Sequence, residues 1–515
     1  MNLNDPVGAL EELDRAIESG HPETIARVAA ANIWPLLTSH MERLTAAVSD
    51  LDSALLERHP TLRLVHPMMA ILARTSRTFK TVAFTEDARR MSPEEVDFLI
   101  LAQNIASRAS GDTGAAILYA KRLKDRLQHT SVAARDRLDG PLWFFHHQIG
   151  STMLIAGDSS GALLEFATAR QLGKLSMQPY AERMALGRVA LAHAVRGALG
   201  DAERVLRELE GLPAPVFAHH NATASTENTA AALIAVDRVA DNLDERLMKL
   251  EPHDSIEMIW PFALLARTRA FILRQEPEDA LEAVRLTEDS HPVQPGSFAY
   301  DVIGAGTIEA LLATGELAYA RRVADKRSQV GVFTRLAMAR LSLQEGRLEL
   351  AARDLQAIAH ETALGPAQRA ESAVLTAWLD LARSDDIDSE TAMHVLRVAR
   401  NPDNRRIVSI MPRQLVEKVL ERLPGDSKEV FDDLTEGAER FEMSHRPVLT
   451  DSELRVLNAL VGNDSTSGIA TLFHVSPNTI KSQLRSIYRK LGCSSRGEAI
   501  RIATRMHLLL ASESH

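Results

Sequence analysis

The chain has 515 residues, of which 45% are hydrophobic, 25% charged and only 4% aromatic, and its formal net charge is −10. Such a length excludes a single hydrophobic core, so several domains or a repeat array are expected in a globular, soluble protein. The lone cysteine, Cys493, excludes a disulfide within the chain and suits a reducing cytoplasm.

The amino terminus, "MNLNDPVGALEELDRAIESG", is acidic and lacks the basic region and apolar core of a signal peptide. No apolar run reaches the roughly 18–20 residues needed to span a bilayer, so no membrane contact is expected. Ala and Leu abound while β-branched runs of period two are scarce, which predicts an all-α fold.

A recurring phrase marks the body: Gly, a few small or polar residues, then Ala opening an amphipathic helix. It reads "GDTGAAILYAKRL" at 111, "GDSSGALLEFATA" at 157 and "GALGDAERVLREL" at 197. Weaker copies are "QEPEDALEAVRL" at 275, "GELAYARRVADK" at 315 and "GRLELAARDLQAI" at 346. Ala162 to Ala202 and Ala280 to Ala320 are each 40 residues apart, and Ala202 to Ala280 is 78. A period in this range, with a helix, a turn and a helix inside it, predicts an α-solenoid over residues 1–422. One helical hairpin cannot bury its apolar face alone, so neighbours stack to bury it for each other. Residues 212 to 260 carry no clean copy. This order of segments resembles the tetratricopeptide-like sensor region of MalT-type regulators. Residues 16–77 resemble the segment that joins the ATPase to the repeats in those proteins.

Trp143, Phe144 and Phe145 form the densest aromatic cluster, and Trp34, Trp260 and Trp378 lie elsewhere. Most are expected in the core, a minority lining a ligand groove on the concave surface. His146-His147 and His219-His220 lack spaced Cys or carboxylate partners, so no metal and no other cofactor is expected. Residues 423–447 are acidic, with scattered Gly and Pro, and read as a linker.

From Leu449 onward eight Lys/Arg face five Asp/Glu, a net of +3 against −13 for the rest. Within 448–515 four helices are predicted. Thr450 with Glu453 makes a capping box for the first, running to about Val461 with Leu454, Leu457, Leu460 and Val461 on its apolar face. The second holds Ile469, Ala470 and Leu472, followed by a turn at "FHV". Ser476 caps the third, with Pro477 at its first position. Ile480, Leu484, Ile487 and Leu491 form its apolar stripe. Ser495 with Glu498 opens the fourth.

A short helix, a tight turn and a longer basic helix make helix-turn-helix geometry, with the third helix suited to the major groove of double-stranded DNA. Lys481 and Arg485 can reach base edges. Ser476 and Thr479, at the helix start, suit phosphate oxygens, as do Arg489 and Lys490 further along. "LTDSELRVLNALV…IATLFHVSPNTIKSQLRSIYRKLGCSSRGEAI" resembles the LuxR-type (GerE/FixJ-like) DNA-binding domain over its whole length. That resemblance implies that Lys481, Ser482 and Arg485 face the bases. It also implies that the fourth helix, through Ala499, Ile502, Ala503 and Met506, pairs with its copy in a homodimer on DNA. Gly468 stands where the family usually has an acidic residue, and Gly inside a helix costs about 1 kcal/mol.

No G-x-x-x-x-G-K-[ST] occurs, so no nucleotide-binding ATPase is expected. Nor is there the strand–helix alternation of a phosphate-accepting receiver. No nucleophile–base pair can be placed, so an enzyme is not expected. The resulting expectation is a cytoplasmic transcription regulator whose repeats sense a small-molecule or protein effector. The alternative is an interaction scaffold whose helix-turn-helix does not bind DNA.

Overall fold

A computed structural model describes residues 6–59, 62, 93–129, 132–175, 180–213, 219–250, 258–361, 363–435, 451–462, 465–491, 493 and 495–505. These residues form 28 α-helices and one short 3-10 helix, with no strand among them. The all-α expectation holds. No helix among them is long and apolar enough to cross a membrane.

The recurring phrase has one backbone cause. Gly111, Gly157, Gly197, Gln275, Gly315 and Gly346 all sit in the left-handed region, with φ between +59° and +87°. Each ends one helix and starts the turn to the next. At Gly157 the amide donates to the Leu154 carbonyl, and the following amide, from Asp158, donates to Met153. The same pair of bonds recurs at Gly197, Gln275, Gly315 and Gly346. This wrap satisfies helix-end carbonyls and is cheapest with glycine, which has no Cβ to clash. Five residues after each left-handed residue comes an alanine: Ala116, Ala162, Ala202, Ala280, Ala320 and Ala351. All six are fully buried, because a methyl is what fits where the paired helices come closest.

The second helix of each pair packs between the first helix of its own pair and that of the next. Ser159–Leu175 does so between Val132–Ile155 and Ala181–Arg196, and Pro277–Ser290 between Trp260–Leu273 and Phe298–Ala313. The first helices also touch in succession, from Ala181–Arg196 through His219–Asp237, Trp260–Leu273, Phe298–Ala313 and Val332–Gln344 to Pro366–Ser384.

The stretch that reads as lacking a repeat contains one. Val239 takes φ +51°, and the amides of Val239 and Ala240 donate to Val236 and Ala235 as in the other turns. A valine there is strained by about 1–2 kcal/mol, because Cβ crowds the following carbonyl. Val239→Gly is expected to stabilise the body by about 0.5–1 kcal/mol, after the extra entropy of a glycine in the unfolded chain is subtracted. A rise in the urea midpoint measures it. The same change in a residue with negative φ would lower that midpoint.

The array also closes on itself. Gln368 Nε2 donates to the Val195 carbonyl at 3.0 Å, and Arg238 Nε lies 2.8 Å from Asp403. Arg406 Nε binds Asp237 at 2.7 Å. Gly197 and Gly365 allow the approach. A Cβ on Gly197 would stand 2.2 Å from Ala367 Cβ, and one on Gly365 would stand 2.3 Å from the Arg196 carbonyl oxygen.

A buried ionic cluster fills the junction. Arg269 holds both Asp237 oxygens at 3.1 and 3.0 Å, while Arg406 bridges Asp237 to Glu371, whose Oε2 is 3.2 Å away. Arg340 binds the other Glu371 oxygen. Burial pushes the Glu371 carboxyl upward, but Arg406, Arg340 and Arg269 outweigh it and hold it at about 2. Farther along the body, His146 Nδ1 lies 2.8 Å from Glu165, and Lys124 lies 2.6 Å from the same carboxylate. Burial works against ionising Glu165, yet these hydrogen bonds and charges keep it below its usual range. His146 thus serves an ion pair. The side chains of His219 and His220 lie outside those described.

Most aromatics are core, as expected. Trp143, Phe144, Phe145 and Trp378 are buried, and Trp34 meets Phe98 and Phe145 edge-on at 5.2 and 4.8 Å. Trp260 differs: it stacks on His291 at 4.3 Å in an open groove with Phe271 and Leu286.

The segment read as a linker from 423 begins differently. Gly425–Thr435 is a helix, and Leu423 and Phe431 are buried in the same cluster as Leu415, Val416 and Val419. Leu423, Phe431 and Thr435 are its inward positions amid acidic neighbours, so composition alone hides a docking face. Residues 436–447 lie outside those described.

Candidate nucleic-acid interface

Four helices build the carboxyl-terminal domain: Asp451–Gly462, Thr466–Leu472, Pro477–Leu491 and Arg496–Arg505. Their shared core is Val456, Leu457, Leu460, Ile469, Ala470, Ile480, Leu484, Ile487, Ala499 and Ala503. Each helix starts from local chemistry. Ser465 Oγ accepts from the Gly468 amide at 3.0 Å, which places Gly468 in the first turn. There its amide serves the cap, so the helix does not carry it as an interior residue. Ser476 Oγ accepts from the Thr479 amide at 3.1 Å, and Ser495 Oγ from the Glu498 amide at 3.3 Å. Thr450 lies outside the described residues.

The turn between the second and third helices rests on His474, at φ +54°, with the Val475 amide donating to the Ala470 carbonyl. Two expected core positions are instead exposed. Leu472 ends its short helix facing away from Ile469 and Ala470, and Val461 falls one position past the inward stripe of Val456, Leu457 and Leu460. Val456 occupies the place expected of Val461.

The third helix is sided as expected. Ile480, Leu484 and Ile487 are buried, whereas Lys481, Ser482 and Arg485 are exposed. Lys481 and Arg485 have no ion-pair partner among the described residues. Four residues apart, they are neighbours on one face. Asn478 is exposed on the same face, at spacings of three, four and seven from Lys481, Ser482 and Arg485. The sequence reading passed over it, although that spacing was the signal. Gln483 is anchored inward, its Nε2 donating to Ser452 Oγ at 2.9 Å.

At the helix start, Ser476 and Thr479 are exposed and their hydroxyls lie 2.8 Å apart. One hydroxyl proton is used in that bond, which leaves the other for an external acceptor. Arg489 and Lys490 lie in the last turns of the helix, and their side chains are outside those described.

The fourth helix corrects an expectation. Ala499 and Ala503, read as part of a pairing face, are fully buried against their own domain. They share the inward stripe with Ile480 and Leu484, so a partner cannot reach them while the domain is folded. The side chain of Ile502 and the whole of Met506 lie outside those described. Cys493 is half-buried, packs on the same core, and its thiol is pushed up by burial and by Glu498.

Residues 447–503 match the family model described as bacterial regulatory proteins, luxR family. The chain is 40% identical over 63 residues to the probable transcriptional regulatory protein NarL of Mycobacterium tuberculosis H37Rv. It is 44% identical over 61 residues to the transcriptional regulatory protein YdfI of Bacillus subtilis 168. Each alignment covers 12% of this chain and 29% of the relative, so the chain spans under a third of the curated proteins it matches.

Proposed function

We propose that the chain is a cytoplasmic DNA-binding transcription regulator whose helix-turn-helix reads the major groove. The observation that carries this is the basic third helix. Lys481, Ser482 and Arg485 are exposed on one face, without an ion-pair partner among the described residues, while the opposite stripe is fixed in the core. Asn478 joins that face as a fourth base-reading candidate, since an amide can pair bidentately with adenine. Ser476, Thr479, Arg489 and Lys490 grip phosphate and set the register.

The protein binds as a homodimer to half-sites about 34–36 Å apart. With Ala499 and Ala503 buried, pairing through the fourth helix uses its outer side, where Gly497 and Arg501 are exposed. The helical-repeat body, similar in order to the tetratricopeptide-like sensor of MalT-type proteins, governs the output domain in response to an effector.

Fragments selected from genomic DNA by the full chain provide the operator. On it, Arg485→Ala is expected to lose about 1–3 kcal/mol, roughly 5- to 150-fold, with the loss concentrated at one base pair. Fluorescence anisotropy on specific and random duplexes measures this. Equal loss on both duplexes would remove Arg485 from base reading. No salt-dependent binding to any duplex would favour a scaffold instead.

A further inference from the structure

The closure of the repeat array leaves a cavity of about 200 Å³ where Ala181–Arg196, the start of Phe298–Ala313 and the start of Pro366–Ser384 meet. Phe298, Phe333 and Leu154 give it apolar walls, Ser159, Ser297 and Glu361 line part of it, and three further polar groups face it.

Arg196 is the first. Its guanidinium bonds only to hydroxyls, Ser159 Oγ at 3.1 Å and Ser160 Oγ at 2.5 Å. No carboxylate lies within ion-pair distance of it among the described residues. The second is Gln368, only 6% exposed. Its Nε2 is committed to the Val195 carbonyl, which fixes the amide orientation, and its buried Oε1 has no donor among the described residues. An unfilled buried acceptor is costly, so a ligand donor placed there is favoured. The third is Asp301, whose oxygens accept from the Phe333 and Thr334 amides at 3.0 and 2.8 Å. With Glu361 it is one of two acidic residues lining the cavity.

From this arrangement we propose that the cavity is a binding site for a small zwitterion of the α-amino-acid class. The ligand carboxylate pairs with Arg196. Its ammonium donates to Gln368 Oε1. The carboxylate then meets a cation and the ammonium an unfilled acceptor. The site bridges helix pairs far apart in sequence, so occupancy favours their contact. This deepens the sensor half of the proposed function, while ligand binding itself is measured without DNA.

The test is calorimetric titration of the full-length protein with the free α-amino acids. Succinate is the anion-only control and ethanolamine the cation-only control. Saturable binding of at least one amino acid, and of neither control, is expected. Arg196→Gln and Gln368→Met should each weaken it by about tenfold or more. Ala156→Leu, which fills the cavity from a partly exposed position, should abolish binding even if the other variants fold poorly. Absence of saturable binding by any amino acid would overturn the site. Undiminished binding to folded Arg196→Gln, or succinate binding as tightly as any amino acid, would overturn it too. Operator binding by the same preparations is scored separately, so a chain that binds DNA but no amino acid loses this site alone.

Discussion

Arg406→Ala is expected to destabilise the repeat body by about 3–5 kcal/mol. The guanidinium is fully desolvated and lies between Asp237 and Glu371, at 2.7 and 3.2 Å. Deleting it removes one of three buried arginines and leaves the carboxylates under-compensated where water cannot reach them. The cluster joins His219–Asp237 to Arg405–Ser409, which are 169 residues apart at Asp237 and Arg406. The variant should therefore lower the urea midpoint and also broaden the transition, because the ends of the array no longer unfold together. An unchanged midpoint would mean that the cluster is not formed.

Acid titration probes the same cluster. Glu371 is held at about 2 in the folded chain against an ordinary 4.5. A depressed carboxyl stabilises the fold above its unfolded value and loses that contribution as pH falls. Wild type should lose stability from pH 4.5 toward 2, and Arg406→Ala should lose less of it in that window. Glu309, pushed upward by burial and then by Glu371, acts in the opposite sense. Its contribution falls above 4.5 and leaves this window clear.

The second large effect is at Phe431. Its ring is fully buried in the Gly425–Thr435 helix, the last described one before the carboxyl-terminal domain. Phe431→Ala deletes that packing and leaves a cavity, for an expected loss of about 3–5 kcal/mol. The loss belongs to the body, so any separate unfolding transition of residues 451–505 should stay in place. A cost below about 1 kcal/mol would mean that the Gly425–Thr435 helix is not docked.

What could be read from the sequence follows from where the constraint is local. Alanine five residues after a glycine, or in one case after Gln275, announced six turns, because each turn needs a left-handed residue and each close approach a methyl. The seventh turn was hidden, since it has Val239 in place of the glycine and Asp244 in place of the alanine five residues later. The output domain was legible almost residue by residue, because caps, turn and stripe all lie within a few positions of one another. Leu472 and Val461 were misplaced because an apolar side chain near a helix end satisfies the pattern without meeting a partner. Ala499 and Ala503 were drawn outward by family likeness, although their spacing fits an inward stripe. Array closure was not legible at all, because nothing near Val195 signals that Gln368, 173 residues later, will bond to it.

That last separation has a consequence in time. A ribosome adding about 5–20 residues per second needs roughly 10–35 s to travel from Val195 to Gln368. Throughout that interval the early helix pairs are stacked but the seam is open, with Asp237 still lacking Arg406. Nascent chains should therefore pass through a long-lived horseshoe that is susceptible to proteases and chaperones at its seam. Protection there should arrive in a single late step, when the chain near residue 409 clears the exit tunnel.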